Sequence, residues 1–224
     1  MQDLREYVDS VRKAVTALYA GQTRDVPFHG LHHISFVADK ARCFAKELGA
    51  DAAVVEIAAL VHDLNYLVAA RGDASVGGRL RSDLLANAGL SRSAIALIED
   101  IIVTSQTHMR SRSISREAMA LSDADTLFKA LPITPVLLAP LYMRETGRSV
   151  GELAQKIVGE QLPLRDDGIY FYSDSAKKKY ESWGDANLTL WSCIQEALED
   201  PSVVELIERV EKYTHIPLDL PVER

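Results

Sequence analysis

Cysteine is almost missing from this 224-residue chain: only Cys43 and Cys193 occur, far apart and outside any C-x-x-C spacing. That excludes a disulfide framework and a cysteine zinc site, and reduced thiols in a cytosolic protein are the simpler reading. A surplus of positive charge is missing too, because 25 Lys and Arg face 32 Asp and Glu, a formal net charge of −7. Without a chain-wide positive field to collect nucleic-acid phosphates, no nucleic-acid partner is expected, while a small phosphorylated ligand stays compatible. No uninterrupted apolar run approaches the ~20 residues of a membrane span. The longest, Pro135 to Met143, is short and interrupted by Pro140. Met1 to Glu6 lacks the basic start and apolar stretch of a signal peptide, so a cytoplasmic location and no membrane partner are the expectation. Strand-like alternation is scarce, and no repeat, low-complexity tract or linker marks a domain boundary.

What is present is the balance of a folded protein, with 47% hydrophobic and 25% charged residues, at a length that one domain commonly reaches. Apolar residues recur at helical spacing, as in Leu4, Val8, Val11, Val15 and Leu18, or in Leu84, Leu85 and Ala88 before Gly89. Stops and caps divide the chain at Gly49-Ala50-Asp51, Arg71-Gly72-Asp73, Gly89-Leu90-Ser91, Pro132, Gly147, Asp185 and Asp200-Pro201. The pattern predicts an all-α single domain of roughly ten helices spanning 1–224. Val26 to Leu31 and Leu162 to Tyr172, with their Pro, Gly and clustered aromatics, are predicted to be irregular.

The candidate chemistry sits on three helices. Ile34, Val37, Ala41, Phe44, Ala45 and Leu48 share one face of a helix predicted over about 31–48, and stepping back four from Val37 places His33 on that inward stripe. His32 falls instead with Phe36, Asp39, Lys40 and Cys43, a mixed face. The next predicted helix, Asp51 to about Tyr66, has Glu56 as its only polar residue between its cap and His62. An imidazole and a carboxylate at His62 and Asp63 therefore enter an apolar setting, where an unpaired charge costs on the order of several kcal/mol, and a bound divalent cation would satisfy both. A third helix has Ala120, Ala124, Leu127 and Leu131 as its core stripe, flanked by Asp123 and Asp125. Two imidazoles and two carboxylates make a mixed nitrogen and oxygen set suited to Mn, Fe, Co, Ni, Zn or Mg, with positions open to water and substrate. Such a centre supports Lewis-acid hydrolysis at a phosphoryl group, with Asp63 or a nearby histidine moving the proton. The competing reading is a set of ordinary paired core residues.

Three segments carry a family resemblance: His33-x-x-Phe36-Val37-x-x-x-Ala41, then Ala58-Ala59-Leu60-Val61-His62-Asp63, then Glu117 with Asp123-Ala124-Asp125-x-Leu127. In this order the chain resembles the HD superfamily of metal-dependent phosphohydrolases over about residues 28–131, with a helical remainder, about 132–224, packed on that core. A bare His-Asp pair is a weak signal; the ordered three-part set is much stronger. The resemblance implies hydrolysis of a phosphate ester or anhydride in a small molecule, with nucleotides the leading substrate class. It also implies His33, His62, Asp63 and Asp125 as metal ligands, with Asp123 in reserve because the second Asp usually ligates. Members that hold two metals use further histidines, one of which would fall near Ser75. The absence of a histidine there favours one cation and counts against the first rival, a dinuclear-iron oxygenase on the same fold. The second rival is a non-catalytic ligand-binding or regulatory domain.

Other residues carry weaker signals. His108 occupies a position where small members often carry a rim histidine, and is a candidate catalytic group beside Asp63; a histidine favoured by a helix C-terminus is the plainer account. Arg110 and Arg112, in the serine-rich run to Arg116, offer guanidinium forks to a phosphate, against the reading of a solvated polar loop. Lys156 matches a lysine in similar proteins and joins them as a substrate-binding candidate. His29 would share the His33 face if the helix began earlier, but Pro27 and Gly30 argue against that, so it is held in reserve. The aromatics from Tyr170 to Trp183 are assigned to packing. A homodimer is a common assembly for helical domains with apolar C-terminal helices.

Overall fold

The apolar periodicity resolves, in a computed structural model describing residues 3–71 and 74–214, into ten α-helices joined by short turns, with no strand among the described residues. They are α1 (Val8–Gly21), α2 (Leu31–Leu48), α3 (Ala52–Val61), α4 (Gly78–Asn87), α5 (Arg92–Ser105), α6 (Arg116–Ala130), α7 (Ala139–Thr146), α8 (Val150–Asp166), α9 (Asp174–Ala197) and α10 (Pro201–Thr214). The ends follow the expected chemistry. Gly49 closes α2 in the left-handed region at φ 66, its N–H returning to the Ala45 carbonyl. The Asp51 carboxylate opens α3 by accepting from the Ala53 and Val54 amides, and Ser149 with Glu152 forms a reciprocal capping box on α8. Caps of this kind each contribute about 1 kcal/mol.

α3 is buried along its whole length, every residue from Ala53 to Val61. It packs against α2 and is enclosed by α1, α5 and α6, while α6 also lies along α2. Alanines at the contacts, Ala38, Ala41, Ala58, Ala59, Ala120 and Ala124, are fully buried and let the three backbones approach closely. Glu56, the lone polar residue inside α3, is matched by Arg12, whose Nη2 donates to Oε1 at 2.6 Å, with Arg42 Nε 3.8 Å from the other oxygen. Buried Arg81 ties α4 to α5 through a two-pronged pair with Glu99 at 2.8 and 2.7 Å.

The C-terminal helices cover this core: α9 packs on α6, and α8 on α9. Asp123 fastens the connection between α8 and α9, accepting from the Tyr172 amide at 2.7 Å, the Ser173 amide at 2.8 Å and the Ser173 hydroxyl at 2.6 Å. Asn187 on α9 donates to the carbonyls of Lys129 and Leu131, satisfying acceptors that the end of α6 leaves without helical partners.

Three expectations about element extent need correction. The second motif helix stops at Val61 rather than near Tyr66: His62 keeps helical dihedrals, Asp63 leaves them at φ −106, ψ 17, and Leu64–Leu67 is a 3-10 turn. Leu162 to Asp166 is helical and ends α8, leaving only 167–173 irregular. Pro163 is tolerated there because the carbonyl it leaves unbonded belongs to Gly159, which is exposed to water. Asp185 does not break α9, which runs through it; its carboxylate points outward and accepts from Arg165 Nε at 2.9 Å. Gly72 and Asp73 of the expected Arg71-Gly72-Asp73 stop, and the ends 1–2 and 215–224 of the expected domain, lie outside the described residues. No single helix among the described residues is long and apolar enough to cross a membrane.

Gly184 is the position inside α9 where packing demands glycine, because a Cβ there would enter the ring of buried Tyr170. Gly184→Ala should lower unfolding stability in urea by about 1–3 kcal/mol, despite the ~1 kcal/mol that alanine adds elsewhere in a helix. An unchanged or higher midpoint would show that Tyr170 yields.

Candidate metal centre

His33 lies in the first turn of α2 and is completely buried, its ring wedged between Phe28 and Phe128. Its Nε2 stands 2.9 Å from Asp63 Oδ2, 3.3 Å from His62 Nε2 and 3.9 Å from Asp125 Oδ1. His62 ends the helical stretch of α3 and donates its Nδ1 proton to the Ala59 carbonyl at 2.8 Å. A carbonyl can only accept, so Nδ1 carries a proton and Nε2 is the nitrogen turned toward the other three residues. Asp63, placed where the helix breaks, brings Oδ2 to 3.1 Å from His62 Nε2. Asp125 divides its carboxylate: Oδ1 faces the cluster, while Oδ2 accepts from Lys129 one turn along α6 at 2.6 Å.

All four donor atoms lie within 4.8 Å of one another. Around a cation with ~2.1 Å bonds, neighbouring ligands sit about 3.0 Å apart and opposing ones about 4.2 Å, so the observed spacings suit coordination at one point. The chemistry of the set agrees. Burial pushes His33 down to about 4 despite its bond to Asp63, which leaves it a neutral imidazole. Burial also opposes the charge of Asp63, but the charge on His62 and hydrogen bonds from both histidines hold its carboxyl well below the usual range. For Asp125, Lys129 and the histidines overcome burial and hold it down to about 2. His62 is the exception: burial disfavours its charge, yet Asp63 and Asp125 outweigh that and raise it. His33, His62, Asp63 and Asp125 could thus hold a metal ion.

His62, Asp63 and Asp125 line a cavity of about 330 Å³, within the size range of small-molecule sites, while fully buried His33 is not part of its lining. Tyr142, Leu153 and Trp191 contribute apolar wall, and Lys129 and Lys156 bring ammonium groups to it. Lys156 Nζ is paired with Glu160 on the same helix. His108, in the 3-10 turn Thr107–Met109, is exposed at the mouth.

Several sequence candidates stand elsewhere. Arg110 is buried beneath the site, donating from Nε to the Ser105 carbonyl at 3.0 Å, from Nη1 to Thr126 Oγ1 at 2.5 Å and from Nη2 to the Ser122 carbonyl at 3.3 Å. Arg112 donates to the Asp167 carbonyl. Neither lines the cavity. Asp123 turns away from the cluster to hold Tyr172 and Ser173; burial pushes its carboxyl up to about 6 against those donors. His32 is exposed.

His29 is buried on the cavity wall although it precedes α2 and its N-terminal Gly30. No helical periodicity marks a residue in that loop. Lys129 was also missed; its i,i+4 spacing from Asp125 was the available signal.

No family model matches the chain, and no curated protein does. Solved structures do resemble it. A Lactobacillus plantarum protein solved as a structural-genomics target is 18% identical, with a TM-score of 0.62 over 95% of this chain and 99% of that one. Bacillus subtilis YpgQ in complex with ADP is 22% identical, with a TM-score of 0.57 over 88% of this chain and 99% of that one. The Lin1889 protein of Listeria innocua is 18% identical, with a TM-score of 0.55 over 89% and 97%. At these identities the likeness establishes a shared all-helical fold.

With Mn²⁺ present at about 100 times its Kd, the unfolding free energy should rise by about 2.7 kcal/mol. His62→Ala and Asp125→Ala should abolish that gain. Asp123→Asn should lower stability by about 1–3 kcal/mol yet keep the Mn²⁺ response. Loss of the response in Asp123→Asn alone would move the ligand assignment to Asp123.

Proposed function

We propose that this chain is a metal-dependent phosphohydrolase that cleaves a phosphate ester or anhydride in a small molecule, with nucleotides as the substrate class. The observation that carries the reading is the convergence of two imidazoles and two carboxylates, three of the four lining a cavity whose wall also bears Lys129 and Lys156. The same fold in YpgQ accommodates ADP, which supports a phosphorylated ligand here.

Among the described residues this is the group of His, Asp and Glu side chains placed to share a cation, which favours one divalent ion over a dinuclear oxygenase centre. When bound, such an ion polarises a phosphoryl oxygen and acidifies a water. The protein's own groups supply the rest. Lys129 and Lys156 offset phosphate charge, each able to exchange its present carboxylate contact for a substrate oxygen. Tyr142 and Trp191 offer flat apolar surface to a base, and the buried walls keep bulk water from the reacting group. Proton transfer falls to Asp63 at the floor or to a histidine of the cavity, of which His108 guards the mouth.

Purified protein with Mn²⁺ should turn over at least one member of a panel of nucleoside mono-, di- and triphosphates and p-nitrophenyl phosphate. His62→Ala and Asp125→Ala should lose about 10³-fold or more of that activity. A wild type that binds panel members but hydrolyses none would reassign the chain to a ligand-binding role.

A further inference from the structure

A carboxylate from α7 reaches the loop entering α2, whose His29 carbonyl also accepts from the Tyr19 hydroxyl at 2.9 Å. Glu145, in the last turn of α7, has a fully buried side chain. Its Oε2 accepts from the amides of Phe28 at 2.8 Å and His29 at 3.0 Å, and its Oε1 lies 2.5 Å from His29 Nδ1. Burial opposes its charge, but His29 and the backbone donors keep the carboxyl below its usual range. With Oε2 taken up by two amides and Oε1 facing the ring, Glu145 accepts from Nδ1, and the neutral tautomer this selects has its lone pair on Nε2, on the cavity side. Tyr66 lies flat on the imidazole, with centroids 3.3 Å apart and planes 7° from parallel, fixing the ring's tilt. Phe28 and Tyr142 close on it edge-on.

In this setting His29 Nε2 points at Asp63, 3.8 Å from Oδ2. That is too long for a direct hydrogen bond, and both atoms are acceptors. Two acceptors at this separation converge on one molecule that donates twice, at about 2.8 Å to each, as a water does. A glutamate that orients a histidine, which in turn faces a water site beside the candidate centre, has the arrangement of an activated nucleophile.

We infer that His29 Nε2 is the proton acceptor for the attacking water, with Glu145 as its positioning residue; this rests on the hydrolytic reading above. As the water oxygen forms its bond to phosphorus, the water's proton passes to Nε2 and the bond from phosphorus to the leaving oxygen breaks. The imidazolium, stabilised by Glu145, then releases that proton to solvent, the leaving oxygen on the opposite side of phosphorus takes one from solvent, and the ring returns to its starting tautomer. His108, outside at the mouth, is left to contact substrate.

The test uses the full chain with Mn²⁺ and ATP, ADP, AMP or p-nitrophenyl phosphate. His29→Asn should lower kcat by about 10²–10⁴-fold, with KM and metal content by elemental analysis changed less than about threefold. Glu145→Gln should lower kcat by about tenfold, and added imidazole should restore activity to His29→Ala. ¹⁵N NMR of the metal-free protein should show the His29 proton on Nδ1. A His29→Asn variant with wild-type kcat, or one that loses metal in step with activity, overturns the assignment and leaves the hydrolytic reading standing. A wild type inert on all four probes overturns both.

Discussion

Four ionisable side chains crowded within 4.8 Å in a helical interior make the electrostatic problem that shapes the rest of the molecule. Two neighbouring carboxylates repel one another, and burial removes the water that would screen them. Part of the answer is local. Lys129 takes one oxygen of Asp125, Arg110 brings Nη2 to 3.9 Å of the same oxygen, and the histidines accept the remaining field. What remains is a negatively biased point faced by two imidazole Nε2 atoms, which deprotonated would suit a divalent cation. The small-residue contacts among α2, α3 and α6 serve the same end, since bulkier side chains would hold the donors apart.

α6 answers to both halves of the protein. Asp123 and Asp125 are two residues apart, so they project about 200° from one another around the helix axis. One reaches across to bind Tyr172 and Ser173, and the other enters the centre. A slip of one residue in α6 would misplace both at once. The closeness of these roles explains why the motif contains two aspartates with one of them remote from the cluster.

Much of this was legible in the residues. The inward stripe of α2 and the all-round burial of α3 follow from helical periodicity, which reports the side of a helix a residue occupies, whereas the order of the four donors and the preference for Asp125 over Asp123 are what the family resemblance implies. The failures lie where a distant partner decides. His29 is aimed by Glu145, 116 positions away, and no local pattern encodes that bond. Arg110 reads as a solvated loop cation until Ser105, Ser122 and Thr126 are seen to surround it. Asp185 reads as a helix stop, yet Arg165 takes its carboxylate, Tyr170 packs on the neighbouring Gly184, and α9 continues through both.

The Asn187 clasp on the Lys129 and Leu131 carbonyls also constrains traffic into the cavity. Lifting α9 away would strip the Lys129 carbonyl of its Asn187 donor one turn from Asp125 and leave the Leu131 carbonyl with the Thr134 amide alone, so a swinging roof would disturb the helix that carries Asp125. The less costly doorway is the short turn around Gln106–His108, whose displacement leaves the clasp closed.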